Sequence, residues 1–206
     1  MRYLIRIILL VVIAGLAYLI VNGIQKPIDF EKEYKVRKEV VVNRLKDIRK
    51  AQIAYKSVNK EFTADWNVLQ DFIKHDSFPI VKITGNMDEL EEKFGLTEAQ
   101  ALRQGRLIRD TAYVNVLDSV FHRNYYVDSL CIIPYSNNKL FELGAREIET
   151  SSKVKVWVFE ASALNFDFLT GMDRQLIINM NDKSNYPGLK VGSLDEVNNN
   201  AGNWEK

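Results

Sequence analysis

Residues 7–21 form an unbroken apolar run without charge or proline, and with residues 3–5 ahead of it and Ile24 behind it the segment covers 22 positions. As a helix this stretch is about 33 Å long, enough to cross a hydrocarbon core of about 30 Å once. Arg6 stands near its start, where a long side chain reaches the interface, and Tyr3 suits the headgroup level. A cleaved signal peptide would use the same run, but Asn-Gly-Ile-Gln-Lys-Pro over residues 22–27 contains no small-x-small site, so an uncleaved anchor over residues 1–25 is expected.

The period then changes. Pro27 lacks the donor of an interior helical turn, which predicts a kink or break, with a second helix starting near Asp29 as its N-cap. Residues 26–40 are mostly charged and read as a solvated stalk. From there Val41, Leu45, Ile48, Gln52 and Tyr55 recur at steps of four, three, four and three, an apolar stripe that faces a core, with Gln52 its only polar member. A turn at residues 59–63 leads to a short helix over residues 65–74 that carries Trp66, Leu69, Phe72 and Ile73 on one side.

Strand character follows at residues 78–83 and 107–116, then at 130–133, 140–143, 154–159 and 176–180. In the 154–159 segment Val154, Val156 and Val158 alternate with Lys155, Trp157 and Phe159, which suits a strand covered on both faces. Thr97 and Gln100 have capping-box spacing, and Gly105 marks the end of a small helix between them. Helices first and short strands afterwards predict an α+β fold: an N-terminal transmembrane helix, a long amphipathic helix and a short second helix packed on a largely antiparallel sheet. The domain is expected over residues 41–197. The polar tail at 198–206, with three consecutive asparagines and Trp204 as its only large apolar residue, is expected to be loose, with docking of Trp204 on its own domain or on a partner as the alternative.

Charge narrows the function classes. Outside the first segment 26 bases face 27 acids, which lacks the basic excess that nucleic-acid binding requires. Residues 26–60 hold 11 bases and 5 acids, a surplus that suits a solvated helix face. The single cysteine, Cys131, lies in an apolar run and reads as a buried small hydrophobe. His75 and His122 have no His or Cys at metal-ligand spacing, the acid pairs Asp88–Glu89 and Glu91–Glu92 lie in a charged stretch, and neither G-x-S-x-G nor a glycine-rich phosphate loop occurs. No catalytic, cofactor or metal site is indicated. Val41, Leu45, Ile48, Tyr55, Trp66 and Trp204 are the candidate packing or interaction residues.

The succession of span, proline, long helix, Arg44-Leu-Lys-Asp-Ile-Arg-Lys-Ala-Gln-Ile-Ala-Tyr55, Asn59-Lys-Glu-Phe62 and a short helix with Leu69 resembles the type IV pilins and pseudopilins over roughly residues 1–75. The resemblance implies a membrane helix that runs into a globular domain and packs on a mostly antiparallel sheet. The family's leader glycine and its acid at the fifth mature position have no counterpart here, since no acid precedes Asp29. Bases near the span, counted alone, place the domain in the cytoplasm; the resemblance places it on the outer, periplasmic side of a bacterial inner membrane. The expected role is a structural or assembly protein of the bacterial envelope, in its first version a pilin-like filament subunit. The alternatives are an accessory subunit or adaptor of a larger envelope complex, for secretion or translocation, and then an envelope hydrolase. Its expected partners are the lipid bilayer and other envelope proteins or copies of itself, with no cofactor and no small-molecule substrate evident.

Overall fold

The computed structural model describes residues 2–84, 95, 97–121 and 124–205. Its first element, α1 (Arg2–Asn59), is one helix of 58 residues with Pro27 inside it. The expected break at Pro27 is therefore corrected: the proline costs the ladder one donor, and the turns beyond it are held by short-range side-chain pairs. Gln25 donates to Asp29 at 2.9 Å, Lys35 lies 3.5 Å from Glu31, and Arg37 lies 2.7 Å from Glu33. The N-terminal part of α1 is long and apolar enough to cross a membrane, and none of it is covered by the rest of the chain.

Domain packing begins lower on α1 than residue 41, because Phe30 and Tyr34 already lie against the core. Val41, Leu45, Ile48 and Ala51 are each fully buried. They meet α2 (Trp66–His75), whose Leu69, Phe72 and Ile73 are its buried face, and a sheet of β3 (Glu142–Glu149), β4 (Lys155–Leu164) and β5 (Gly188–Gly192). That sheet is antiparallel in the order β3-β4-β5. On β4 the neighbours Val158 and Phe159 are both buried, so both of its faces are covered. The fold is α+β.

Gln52 is fully buried on the same stripe. Its Nε2 donates to the Thr63 carbonyl at 2.7 Å, and its Oε1 accepts from the Thr63 amide at 3.2 Å. A primary amide thus satisfies both backbone groups of one residue, which fixes the turn between α1 and α2 and removes the cost of burying the amide unpaired. The turn brings Phe62 to Phe159, with ring centroids 4.8 Å apart.

The remaining strands form a separate two-stranded antiparallel ribbon, β1 (Ser77–Thr84) with β2 (Ile108–Asn115), so the single expected sheet is two. The small helix α3 (Glu98–Arg103) starts with the expected capping box of Thr97 and Gln100. The short helix α4 (Val116–Val120) follows β2 directly, with Asn115 as its cap.

Two expected strands are corrected. Residues 130–133 follow a 3-10 turn (Val127–Ser129) and contribute only one bridge, Ile132 to Leu140; Leu130 and Ile133 are buried there as turn residues. Residues 176–180 lie in α6 (Arg174–Asn181), where Asp173 accepts from the amides of Gln175 and Leu176 at 2.9 and 3.3 Å. That N-cap outweighs the β-branched run that follows it. Ahead of α6 stands the one-turn helix α5 (Asn165–Phe168).

Leu45→Ala or Ile48→Ala is expected to cost about 2 to 5 kcal/mol, and Gln52→Ala about 1 to 3 kcal/mol through the unpaired Thr63 groups. Denaturant unfolding of the detergent-solubilised chain measures each; unchanged midpoints would show that the stripe does not form the central seam.

Candidate functional site

The six sequence-derived candidates do not converge. Val41, Leu45 and Ile48 are interior and closed to any partner. Tyr55 sits edge-on to Phe72 with centroids 5.2 Å apart, and Trp66 donates from Nε1 to the Phe141 carbonyl at 3.1 Å. Both have internal packing roles. Trp66 also borders an open surface depression with Gln70, Cys131 and Leu140, and Trp204 lies at a cleft.

The tail that carries Trp204 is docked, which corrects the expectation of a loose terminus. Asn199 and Asn200 take left-handed φ values of 54° and 58°, a conformation that asparagine tolerates better than most residues, so the asparagine run is turn chemistry. The turn is closed by the Ala201 amide on the Asn198 carbonyl at 3.1 Å. Beyond it Gly202 bridges to Val191, the Gly192 amide donates to the Ala201 carbonyl at 3.1 Å, and the Asn203 amide donates to the Lys190 carbonyl at 3.0 Å. The tail therefore covers the outer edge of β5, which would otherwise present unpaired backbone groups.

Two side chains lock it. Arg49 Nη1 donates to the Asn200 carbonyl at 3.2 Å and to Glu205 Oε1 at 2.9 Å, while the Gly202 amide donates to Glu205 Oε2 at 3.1 Å. The Trp204 ring lies on Gly202 so closely that a Cβ there would stand 2.4 Å from it.

A second lock holds the stalk. Arg37 Nη1 donates to the Phe168 and Thr170 carbonyls at 3.2 and 3.0 Å, and its guanidinium stands 5.0 Å above the Tyr135 ring. The charged stalk is thus in part a domain contact.

Between these two locks lies a cleft of about 290 Å³. Tyr34 and Lys38 of α1 form one wall, Tyr186 from the loop after α6 another, and Asn165, Asn203 and Trp204 complete it. Asn165 is only 4% exposed. Its Nδ2 donates to Asn181 Oδ1 at 2.6 Å, whereas its Oδ1 has no donor among the described residues. Trp204 Nε1 is buried without a partner among them. Burial raises the Tyr34 and Tyr186 hydroxyls above the ordinary tyrosine value, so both stay neutral donors. Lys38 is half-buried beside Tyr34, its Nζ 5.8 Å from the ring centre, and pairs with no carboxylate among the described residues. The lining itself contains no acid.

The other candidate chemistry is sparse. Cys131 is half-buried, a correction to the expected buried thiol, and its Sγ accepts from Gln70 Nε2 at 3.3 Å. His75 pairs with Asp71 at 2.8 Å on an exposed helix face. Among the described residues no three His, Cys, Asp or Glu side chains come together as a metal site. His122 and the acid pairs at residues 88–92 lie outside the described residues. Sequence reasoning missed Asn165, Tyr186 and the role of Arg37. Only Tyr34 carried a signal, as an apolar residue four positions after Phe30 in a charged segment. No family model, curated protein or solved structure matches the chain.

The tail lock titrates. The Gly202 amide first, and then Arg49, hold the Glu205 carboxyl below its ordinary value of 4.5 against the opposing effect of desolvation. A lowered folded-state value means that this stabilisation is complete above about pH 4.5 and is lost as pH falls through the lowered value. Melting curves of wild type and Glu205→Gln should therefore differ near neutrality and converge in acid; a constant difference would show that the carboxylate does not hold the tail. Gly202→Ala is expected to cost about 1 to 3 kcal/mol, since Trp204 must move.

Proposed function

We propose that the protein is a single-pass component of a bacterial envelope assembly, held in the inner membrane by the first part of α1 and displaying its domain on the outer side. The observation that carries this reading is the continuity of α1: the apolar segment and the central core helix are one element without a flexible joint. A signal sequence or a loosely tethered enzyme needs no such continuity. A helix that passes from lipid into the middle of a domain sets that domain's height and angle above the membrane, which is what a subunit in an ordered assembly requires.

Within that class the pilin-like filament subunit remains the first version, supported by the packing of Leu45 and Ile48 and by the helix-then-sheet order. The absence of any acid before Asp29 favours the second version, an adaptor within a larger machine.

The chain should stay in the membrane pellet after carbonate extraction, and in mild detergent it should migrate with partners or with copies of itself. Recovery in the carbonate supernatant would end the anchor reading. Abundant sheared fibres would select the filament version, and a fixed ratio to a set of co-purifying proteins the adaptor.

A further inference from the structure

We infer that the cleft between Tyr34, Tyr186 and Trp204 is a binding site for a sugar ring that carries a carboxylate, as part of an acidic glycan. This does not depend on the assembly role proposed above.

Three features support it. The cleft has aromatic side chains from three separate segments, α1, the loop after α6 and the tail. Rings of this kind cover the apolar C–H face of a pyranose, whereas a flat aliphatic wall would leave its hydroxyls without partners. Next to them is an amide oxygen with unused capacity. Asn165 is almost wholly buried, yet its Oδ1 accepts nothing among the described residues. With its Nδ2 already committed to Asn181, this carboxamide offers its oxygen as an acceptor for a sugar hydroxyl. The charge balance comes third: Lys38 is a half-buried cation without a carboxylate partner among the described residues, the lining adds no acid, and of the carboxylates that act on its tyrosines from outside, Glu31, Glu142 and Glu160, the last is paired with Lys190 at 2.8 Å. A cationic ligand would meet uncompensated like charge, while a carboxylate gains a charge-assisted contact.

The size agrees. About 290 Å³ is at the small end of ligand pockets and suits one or two rings rather than a folded partner. Tyr34 and Lys38 lie ten and fourteen residues beyond Ile24, which puts the cleft roughly 15 to 21 Å from the end of the apolar run along a straight helix. Both a free polysaccharide and the headgroup of a glycolipid can reach that height.

The full chain would be placed in phosphatidylcholine nanodiscs free of glycosidic detergent and probed by saturation-transfer NMR with trigalacturonate, with maltotriose as the neutral control. Trigalacturonate should show transfer and maltotriose much less, with Lys38→Ala and Tyr186→Leu each weakening the acidic ligand about tenfold at unchanged melting temperature. Nanodiscs that contain a glucuronosyl glycerolipid test the membrane source: shifts of the Tyr34 and Tyr186 ring signals there, with no binding of the soluble trisaccharide, assign the site to a lipid headgroup. Equal binding of maltotriose overturns the acidic class. No binding of either acidic probe, or binding that survives both substitutions, overturns the site. Because none of these readouts involves membrane retention or partners, a negative result here leaves the assembly reading to its own test.

Discussion

Burial of one stripe on α1 is the constraint on which the rest of the fold depends. Val41, Leu45, Ile48 and Ala51 are inaccessible to water, and α2 and the three-stranded sheet converge on them. An isolated helix gains little from propensity alone, and most helical stability in proteins comes from packing one apolar face. The long helix and the domain therefore stabilise each other. Gln52 makes the arrangement specific. An apolar residue there would fill the same space, but the turn at Thr63 would lose both partners for its backbone groups.

The sheet has a weakness that the tail repairs. β5 has only five residues and pairs with β4 along one side, so its other side would be an open edge. Gly202 and Asn203 cover it, and Arg49 reaches from α1 to hold the covering segment through Glu205. Gly192, with φ of 76°, lets β5 turn away where a Cβ would stand 2.1 Å from the Phe159 carbonyl oxygen. A chain end that looks polar and dispensable thus belongs to the fold.

What the sequence disclosed and what it hid follow from range. The apolar run and the i, i+3, i+4 stripe are periodic and local, and they appear in the structure where the pattern puts them, while the strand expected at 154–159 is found at 155–164 with Val154 exposed outside it. Residues 176–180 have strand character in Leu176, Ile177 and Ile178, and the Asp173 cap that makes them part of a helix is a single residue outside that periodic signal. The asparagine run reads as a loose tail because its turn becomes stable only when Ala201 and Asn203 pair with β5. Arg37 and Arg49 were indistinguishable from other bases on a charged helix, since the carbonyls and the carboxylate they meet lie 131 to 156 residues away. The cleft was invisible for the same reason: its walls come from four separate segments.

In the assembly proposed above, the lack of charge between residues 7 and 25 bears on where partner choice would reside. Between residues 7 and 25 there is no Asp, Glu, Lys or Arg, so any contact this helix makes within lipid rests on side-chain packing and weak polar groups, which discriminate poorly between neighbours. A buried ion pair between spans could fix one partner in one register; this sequence offers none. Specificity would then have to come from the domain, where Arg37 ties the stalk through the Phe168 and Thr170 carbonyls. With α1 continuous through Pro27 and latched there, a partner that gripped the domain would also orient the apolar segment. A segment fixed in a bilayer would in turn limit the approach of that partner to one height. Such a mutual restriction would raise the effective concentration of correctly oriented encounters without any specific contact in the lipid.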